Sequence, residues 1–360
     1  MRKVSIMRAI SIVLMLTFGV FLLNNCAVAQ TTKAPKIAIL ATGGTIAGVG
    51  QSEVGSAYKS GAITVDKLLA AVPQINSIAT VQGEQVVQIG SQDMNDMVWL
   101  KLAKRINELA KTDVQAFVIT HGTDTQEETA YFLNLVLKTD KPVVLVGSMR
   151  ASTAISADGP KNLYDAVACA VDPSSKGRGV MIVMDDKILG ADDVTKTMTT
   201  TVETFACPNY GPLGIMYNGK PMYTRASMKK HTVKSEFSVD NLSELPRVEI
   251  VYGHSNVTPL FVDAAVKAGV KGLVYAGVGN GNPSTTLQDA LVSARKSGVA
   301  IVRSSRVFSG PTSQFDEVDD DKCEFAASWF KNPQKARVLL MLALTKTTDY
   351  KEIQRMFIEY

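Results

Sequence analysis

The chain has 360 residues, 46% of them hydrophobic and 20% charged; this is ordinary globular composition, and the length suggests two domains. A formal net charge of +4 without a Lys/Arg cluster gives no footing for nucleic acid as a partner. No CxxC or HExxH is present, so no metal is called for.

The N-terminus differs from the rest. Arg2, Lys3 and Arg8 precede a mostly apolar run over 9–23, short for a membrane span, and Ala27-Val28-Ala29 supplies a small-x-small cleavage pattern. Residues 1–29 therefore read as a secretory signal peptide, which predicts an exported, soluble mature protein with no membrane attachment. A lipid anchor at Cys26 is the rival, but Asn25 stands where a small residue is expected. Cleavage leaves Cys169, Cys207 and Cys323, an odd count without paired spacing and so no disulfide framework.

Beyond the signal, residues 37–41 are an apolar run that reads as a buried strand, ended by Gly43-Gly44 with Thr45 directly after. In open parallel sheets ligands sit outside the carboxyl ends of strands, where this hydroxyl would stand. The polar, glycine-rich segment 48–61, carrying Tyr58, reads either as a mobile lid or as a plain surface loop. Helical spacing over 64–72 ends at Pro73, and 79–89 is a strand. Ser91 is then a candidate cap for a helix over 96–109, which puts Met97, Leu100, Leu102, Ile106 and Leu109 largely on one face.

A second strand, 114–120, runs into His121-Gly122-Thr123-Asp124-Thr125, and Thr125 with Glu128 makes a capping box for a helix over 126–137. Again a strand ends in glycine and threonine and feeds a helix. Strands over 143–146 and 179–184 enclose a helix over 161–171. This alternation implies a large, mostly parallel sheet with helices on both faces. Lys196, among the hydroxyls of Thr195 and Thr197, reads on burial statistics as solvated surface. Residues 201–246 lose periodicity, so the chain divides into a domain over 34–224, a linker over 225–246 and a smaller α/β domain over 247–360. In the latter, strands over 248–252, 273–276 and 300–302 alternate with helices over 259–268 and 285–296, and two helices over 333–344 and 350–357 close the chain. The acidic run 316–321 reads as a solvated loop.

Of the three histidines, His231 lies in the linker and His121 follows a buried strand, where a structural role is expected. No G-x-S-x-G elbow is present, so a hydroxyl nucleophile would need another activator, such as a lysine or a tyrosine–carboxylate pair. Thr45, Thr123, Tyr58 and Lys196 are the right residue types, but spacing does not show that they converge.

Ala41-Thr42-Gly43-Gly44-Thr45-Ile46-Ala47-Gly48, together with His121-Gly122-Thr123-Asp124-Thr125, resembles the paired threonine signatures of bacterial L-asparaginases. The resemblance continues through Ile89-Gly90-Ser91-Gln92-Asp93-Met94-Asn95-Asp96, Ser156-Ala157-Asp158-Gly159-Pro160 and Asp193-Val194-Thr195-Lys196-Thr197. It extends to Gly279-Asn280-Gly281-Asn282 and Asn332-Pro333-Gln334-Lys335-Ala336-Arg337, and so covers nearly the whole mature chain. With the signal peptide, the chain is similar to the periplasmic type II enzymes. The resemblance implies hydrolysis of L-asparagine to L-aspartate and ammonia, without a cofactor. It places Thr45 as nucleophile, Tyr58 as the lid tyrosine assisting it, and Thr123 as the second catalytic threonine, hydrogen-bonded to Lys196. It assigns Ser91, Gln92 and Asp124 to the substrate's α-carboxylate and α-amine. Asn282 and Glu317 would be contributed by a neighbouring subunit of a homotetramer built from intimate dimers. Asn282 is the residue of asparagine-preferring members, which implies weak glutaminase activity. Type II relatives often carry a disulfide near the helices at 96–110 and 126–139, where this chain has no cysteine. The rival from another class is a periplasmic solute-binding protein, which would need the amino-acid clamps but neither Lys196 nor two strand-end threonines.

Overall fold

Strand β1, Lys36–Gly43, is buried at every position after its first residue, as a strand covered on both faces must be. Its side chains alternate between two cores: Ala38 and Leu40 enter one, Ile37, Ile39 and Ala41 the other. The computed structural model describes residues 34–50, 52–54 and 57–360, and the signal peptide expected over 1–29 lies outside them. Residues Pro35–Tyr360 form one compact unit.

The principal sheet adds β2 (Thr80–Ile89), β3 (Ala116–Thr120), β4 (Val143–Val146), β5 (Val180–Met184), β6 (Lys187–Gly190), β7 (Gly214–Tyr217) and β8 (Lys220–Tyr223). Its order is β8-β7-β6-β5-β4-β3-β1-β2, parallel from β2 to β5 and antiparallel beyond. Helices α1 (Val65–Ala70) and α4 (Gly159–Val171) cover one face, and α2 (Asp96–Leu109) and α3 (Gln126–Val136) the other.

A second sheet, β9 (Val248–Tyr252), β10 (Gly272–Gly277), β11 (Ala300–Ser305) and β12 (Ala326–Ala327), is wholly parallel in that order. Helices α5 (Leu260–Lys267) and α6 (Thr285–Lys296) cover its outer face. Its inner face shares a core with α2, α3, α7 (Pro333–Ala343) and α8 (Tyr350–Glu359). Phe237, Val239 and Leu245, from the stretch 225–246, are buried in that same core. The fold is thus α/β, with a large, mostly parallel sheet and a smaller parallel one.

Several local expectations are corrected. β7 and β8 lie within 201–246, where no strand is read from periodicity. Each is four residues long, and Pro221 sits on the edge strand, where a missing N–H costs no ladder bond. The signal for them is Asn218-Gly219, whose φ values of 51° and 70° make the mirror-image turn that suits a hairpin. Met97 is 64% exposed, and Val98, Trp99 and Ala103 take its place in the core. The α2 cap is Asn95, which accepts from Val98 N, and not Ser91. Thr125 makes no side-chain cap to α3; its hydroxyl donates to Ser91 O at 2.8 Å. The acidic run is not wholly solvated either. Asp320 is fully buried and pairs with buried Arg303 at 2.7 Å, and a charge taken out of water needs such a partner.

Cys169, Cys207 and Cys323 are free and buried. Among the described residues no helix is long and apolar enough to cross a membrane.

Candidate active site

The sheet order places β2-β1-β3-β4-β5 side by side. The chain leaves β1 towards β2 on one side, and β3 towards β4 on the other. Such a reversal opens a crevice outside the carboxyl ends of the two strands between which it occurs. Those strands are β1 and β3, paired from Ile37↔Ala116 to Ala41↔Thr120. The residues that follow them are Thr45 and Thr123.

Glycine is required where the two strand exits meet. Gly44 has φ 85°, and a Cβ there would lie 2.3 Å from Gly122 N. A Cβ on Gly122 would lie 2.6 Å from Ser91 Oγ. The loops after β1, β2 and β3 therefore touch almost main chain to main chain. Thr45 opens a 3₁₀ turn, Thr45–Ala47, and is 5% exposed, as is Thr123.

Both threonines line one cleft of about 630 Å³, together with Asp124, Lys196, Glu53, Val54, Arg150 and Ser156 among others. Lys196 Nζ donates to Thr123 Oγ1 at 2.9 Å and pairs with Asp124 Oδ1 at 2.7 Å. The expectation of a solvated Lys196 is corrected: its side chain is only 18% exposed, because the short strand Thr195–Lys196, paired with Phe205–Ala206, turns it inward. The Asp124 carboxylate keeps 57% exposure, so the ion pair reaches water through it.

Ser91 is buried, and its Oγ accepts from Asp124 N at 3.1 Å. Gln92 is exposed in the turn Ser91–Asp93. Neither lines the cleft, but Ser91 holds the main chain of Asp124, which does. Tyr58 belongs to the strand Tyr58–Lys59, which pairs with Val49–Gly50 and closes the segment 48–61 into a hairpin. Gln51, Gly55 and Ser56 of that segment lie outside the described residues, and Glu53 and Val54 reach the cleft wall. Asn282 and Glu317 do not line the cleft. Glu317 is exposed, while Asn282 Oδ1 is buried without a hydrogen-bond partner.

His121 is fully buried. Its Nδ1 donates to Gly122 O at 2.6 Å, so Nε2 accepts from Thr129 Oγ1 at 2.8 Å, and that hydroxyl accepts in turn from Trp99 Nε1. Burial pushes its pKa down to about 4, which holds the ring neutral. Glu128, on α3, is pushed up to about 6 by burial and then by the neighbouring Glu127. Among the described residues, no group of three or more His, Cys, Asp or Glu is placed to hold a metal ion.

Chemically, the cleft offers two buried hydroxyls, one of them hydrogen-bonded to an amine, beside an exposed carboxylate. That is the equipment of a hydrolase working through a hydroxyl, built at the switch point of an open sheet. The chain belongs to the asparaginase family, whose members are hydrolases. Residues 36–229 match the family model "Asparaginase, N-terminal", and residues 247–357 match "Glutaminase/Asparaginase C-terminal domain". The chain is 58% identical to "L-asparaginase 2" of Escherichia coli (strain K12) over 327 residues, covering 91% of this chain and 93% of that protein. It is 56% identical to "Probable L-asparaginase periplasmic" of Haemophilus influenzae over 333 residues, covering 92% and 95%. Among solved structures, that of the "Probable Cytoplasmic L-asparaginase" of Campylobacter jejuni is similar with a TM-score of 0.89 at 48% identity, covering 91% of this chain and all of that one.

Proposed function

We propose that the protein hydrolyses L-asparagine to L-aspartate and ammonia through an acyl-enzyme. The observation that carries this is the opening of Thr45 and the Lys196–Thr123–Asp124 constellation onto one cleft. Thr45 Oγ attacks the side-chain amide carbon, the C–N bond breaks, and ammonia leaves with the proton of the hydroxyl. Water then adds to the Thr45 ester, aspartate departs, and the threonine recovers its proton. Splitting the reaction in this way replaces one hard step with two easier ones. Lys196 and Thr123 relay the protons, Tyr58 assists from the hairpin, and main-chain N–H groups at the strand ends hold the oxyanion. The anionic Asp124 suits an ammonium group, and Ser91 with main-chain N–H groups suits a carboxylate. In this proposal Gln92 joins the clamp, although it is not part of the cleft lining.

Asn282 and Glu317 stand outside the cleft of their own chain and serve that of a neighbour, in a homotetramer of intimate dimers. The domain over 34–224 carries the threonines and Lys196, and the domain over 247–360, beyond the linker 225–246, carries the residues lent to the neighbour. Secretion to the periplasm and weak action on glutamine belong to the same proposal. The test is ammonia release from L-asparagine by the purified protein. A solute-binding protein would bind the amino acid and release none, and that outcome would reverse the assignment.

A further inference from the structure

Three consecutive residues that deliver Lys196 are each held by a side chain from another part of the molecule. Val194 O accepts from Lys335 Nζ, and Thr195 Oγ1 accepts from Asn332 Nδ2 at 3.3 Å. Lys196 N donates to Glu127 Oε2 at 2.7 Å. The three holders are themselves joined. Asn332 Nδ2 donates to Glu127 Oε1 at 2.9 Å, and Lys335 Nζ stands 3.8 Å from that same oxygen. Asn332 Oδ1 in turn caps α7 by accepting from Lys335 N at 3.0 Å.

Glu127 and Lys335 are 4% and 2% exposed. A carboxylate so deeply buried is costly unless both oxygens are satisfied, and here both are, by one donor from the Lys196 strand and one from the C-terminal half. Glu127 also sits in the first turn of α3, just beyond Thr123 and Asp124. It therefore ties the main chain of Lys196 to the segment that carries the two groups Lys196 Nζ must reach. A lysine has a long, flexible stem, and its Nζ keeps a 2.9 Å contact only while its own main chain stays in place.

We infer that Glu127 is a positioning residue for the reaction: it fixes Lys196 against Thr123, and Asn332 and Lys335 fix Glu127. This rests on the proposed role of Lys196 as proton relay. It also makes the relay depend on the C-terminal half of the same chain, through Asn332.

The test uses the full chain and ammonia release from L-asparagine. Glu127→Gln keeps the shape but replaces one oxygen with an NH₂ group, which must face either the Lys196 N–H or the Asn332 amide, so one contact is lost. Its kcat should fall roughly 10- to 10²-fold, the scale of an ångström-sized misplacement, while aspartate still binds. Asn332→Ser retains a helix-capping hydroxyl but cannot reach Glu127, and should show the same split; it carries the test if Glu127→Gln does not fold. The decisive measurement places each change in a Lys196→Met background. With the relay already absent, neither should lower kcat further. A further loss of the full factor in that background, or parental kcat in a folded Glu127→Gln, overturns the inference. Parental turnover in Lys196→Met alone overturns the relay itself and the inference with it, a result recognisable because no second substitution is needed to see it.

Discussion

Thr45 and Thr123 share a cleft and an equal depth of burial, so position alone does not say which forms the ester. Their surroundings do differ. Thr123 Oγ1 is engaged by Lys196 Nζ, which suits a group that moves protons, whereas Thr45 begins a new turn directly after a double glycine. Thr45→Val should therefore bind aspartate nearly as well as the parent yet form no acyl-enzyme. Thr123→Val should acylate slowly and hydrolyse the ester poorly. Rapid quench with asparagine followed by mass spectrometry decides the matter: an adduct on the Thr123 peptide reverses the roles.

His121 makes a prediction of another kind. Its folded pKa of about 4 lies below the ordinary 6.5, so its contribution to stability is complete above pH 6.5 and is lost as pH falls towards 4. The loss amounts to about 3 kcal/mol over that window, at about 1.4 kcal/mol per pH unit. Urea denaturation at a series of pH values measures it. A His121→Gln variant, though less stable throughout, should show a shallower dependence between pH 6.5 and 4, and an unchanged slope would remove His121 as the cause.

Among the elements, the turn after β1 is the one least able to change. Gly44→Ala would force a side chain into a backbone at φ 85° and against Gly122 N, so the exits of β1 and β3 would have to separate. The unfavourable φ alone costs about 1–3 kcal/mol, and the backbone shift forced by the overlap with Gly122 adds to it. The variant should therefore fold with a lowered melting temperature and lose most of its turnover; parental kcat would mean that the two exits need not touch. Gly177 is also at positive φ, but a Cβ there would meet nothing within 4 Å, so alanine should be tolerated with only a stability cost.

This turn was legible in the sequence because a glycine pair after an apolar run leaves a buried strand little course but to end and turn. So were the strand Val143–Val146 and the helix Asp96–Leu109, whose bounds periodicity alone supplies. Lys196 was not, since nothing in Thr195-Lys196-Thr197 distinguishes an inward lysine from a solvated one until Phe205–Ala206 pairs with it. The capping box at Thr125 and Glu128 failed for a related reason. The pattern is local, but Ser91 O, distant in sequence, offered the hydroxyl a better partner. Asp320 likewise has acidic neighbours that suggest water, and its partner Arg303 comes from the preceding strand β11.

At the scale of the molecule, the core beneath α2 and α3 is completed by α7, α8 and the inner face of the second sheet, so neither half of the chain buries its apolar surface alone. The proposed assembly would extend this dependence. If Asn282 and Glu317 complete a neighbour's cleft, the smallest active species is a dimer. Sizing chromatography with activity measured across the peak tests this, and a monomer with full specific activity would refute it.

The three buried thiols bear on where such a chain is able to mature. Burial pushes Cys169 up to about 11 and Cys207 up to about 12, and raises Cys323 as well, so none of them supplies the thiolate that exchange chemistry needs at neutral pH. The folded body asks nothing of the redox poise around it. It should regain full activity after dilution from urea in the presence of excess dithiothreitol, with no oxidant or isomerase, and its native form should be inert to a thiol-reactive dye until it unfolds. Recovery that needed an oxidised glutathione buffer would contradict this. Folding of this body therefore sets no redox requirement on the compartment in which it takes place.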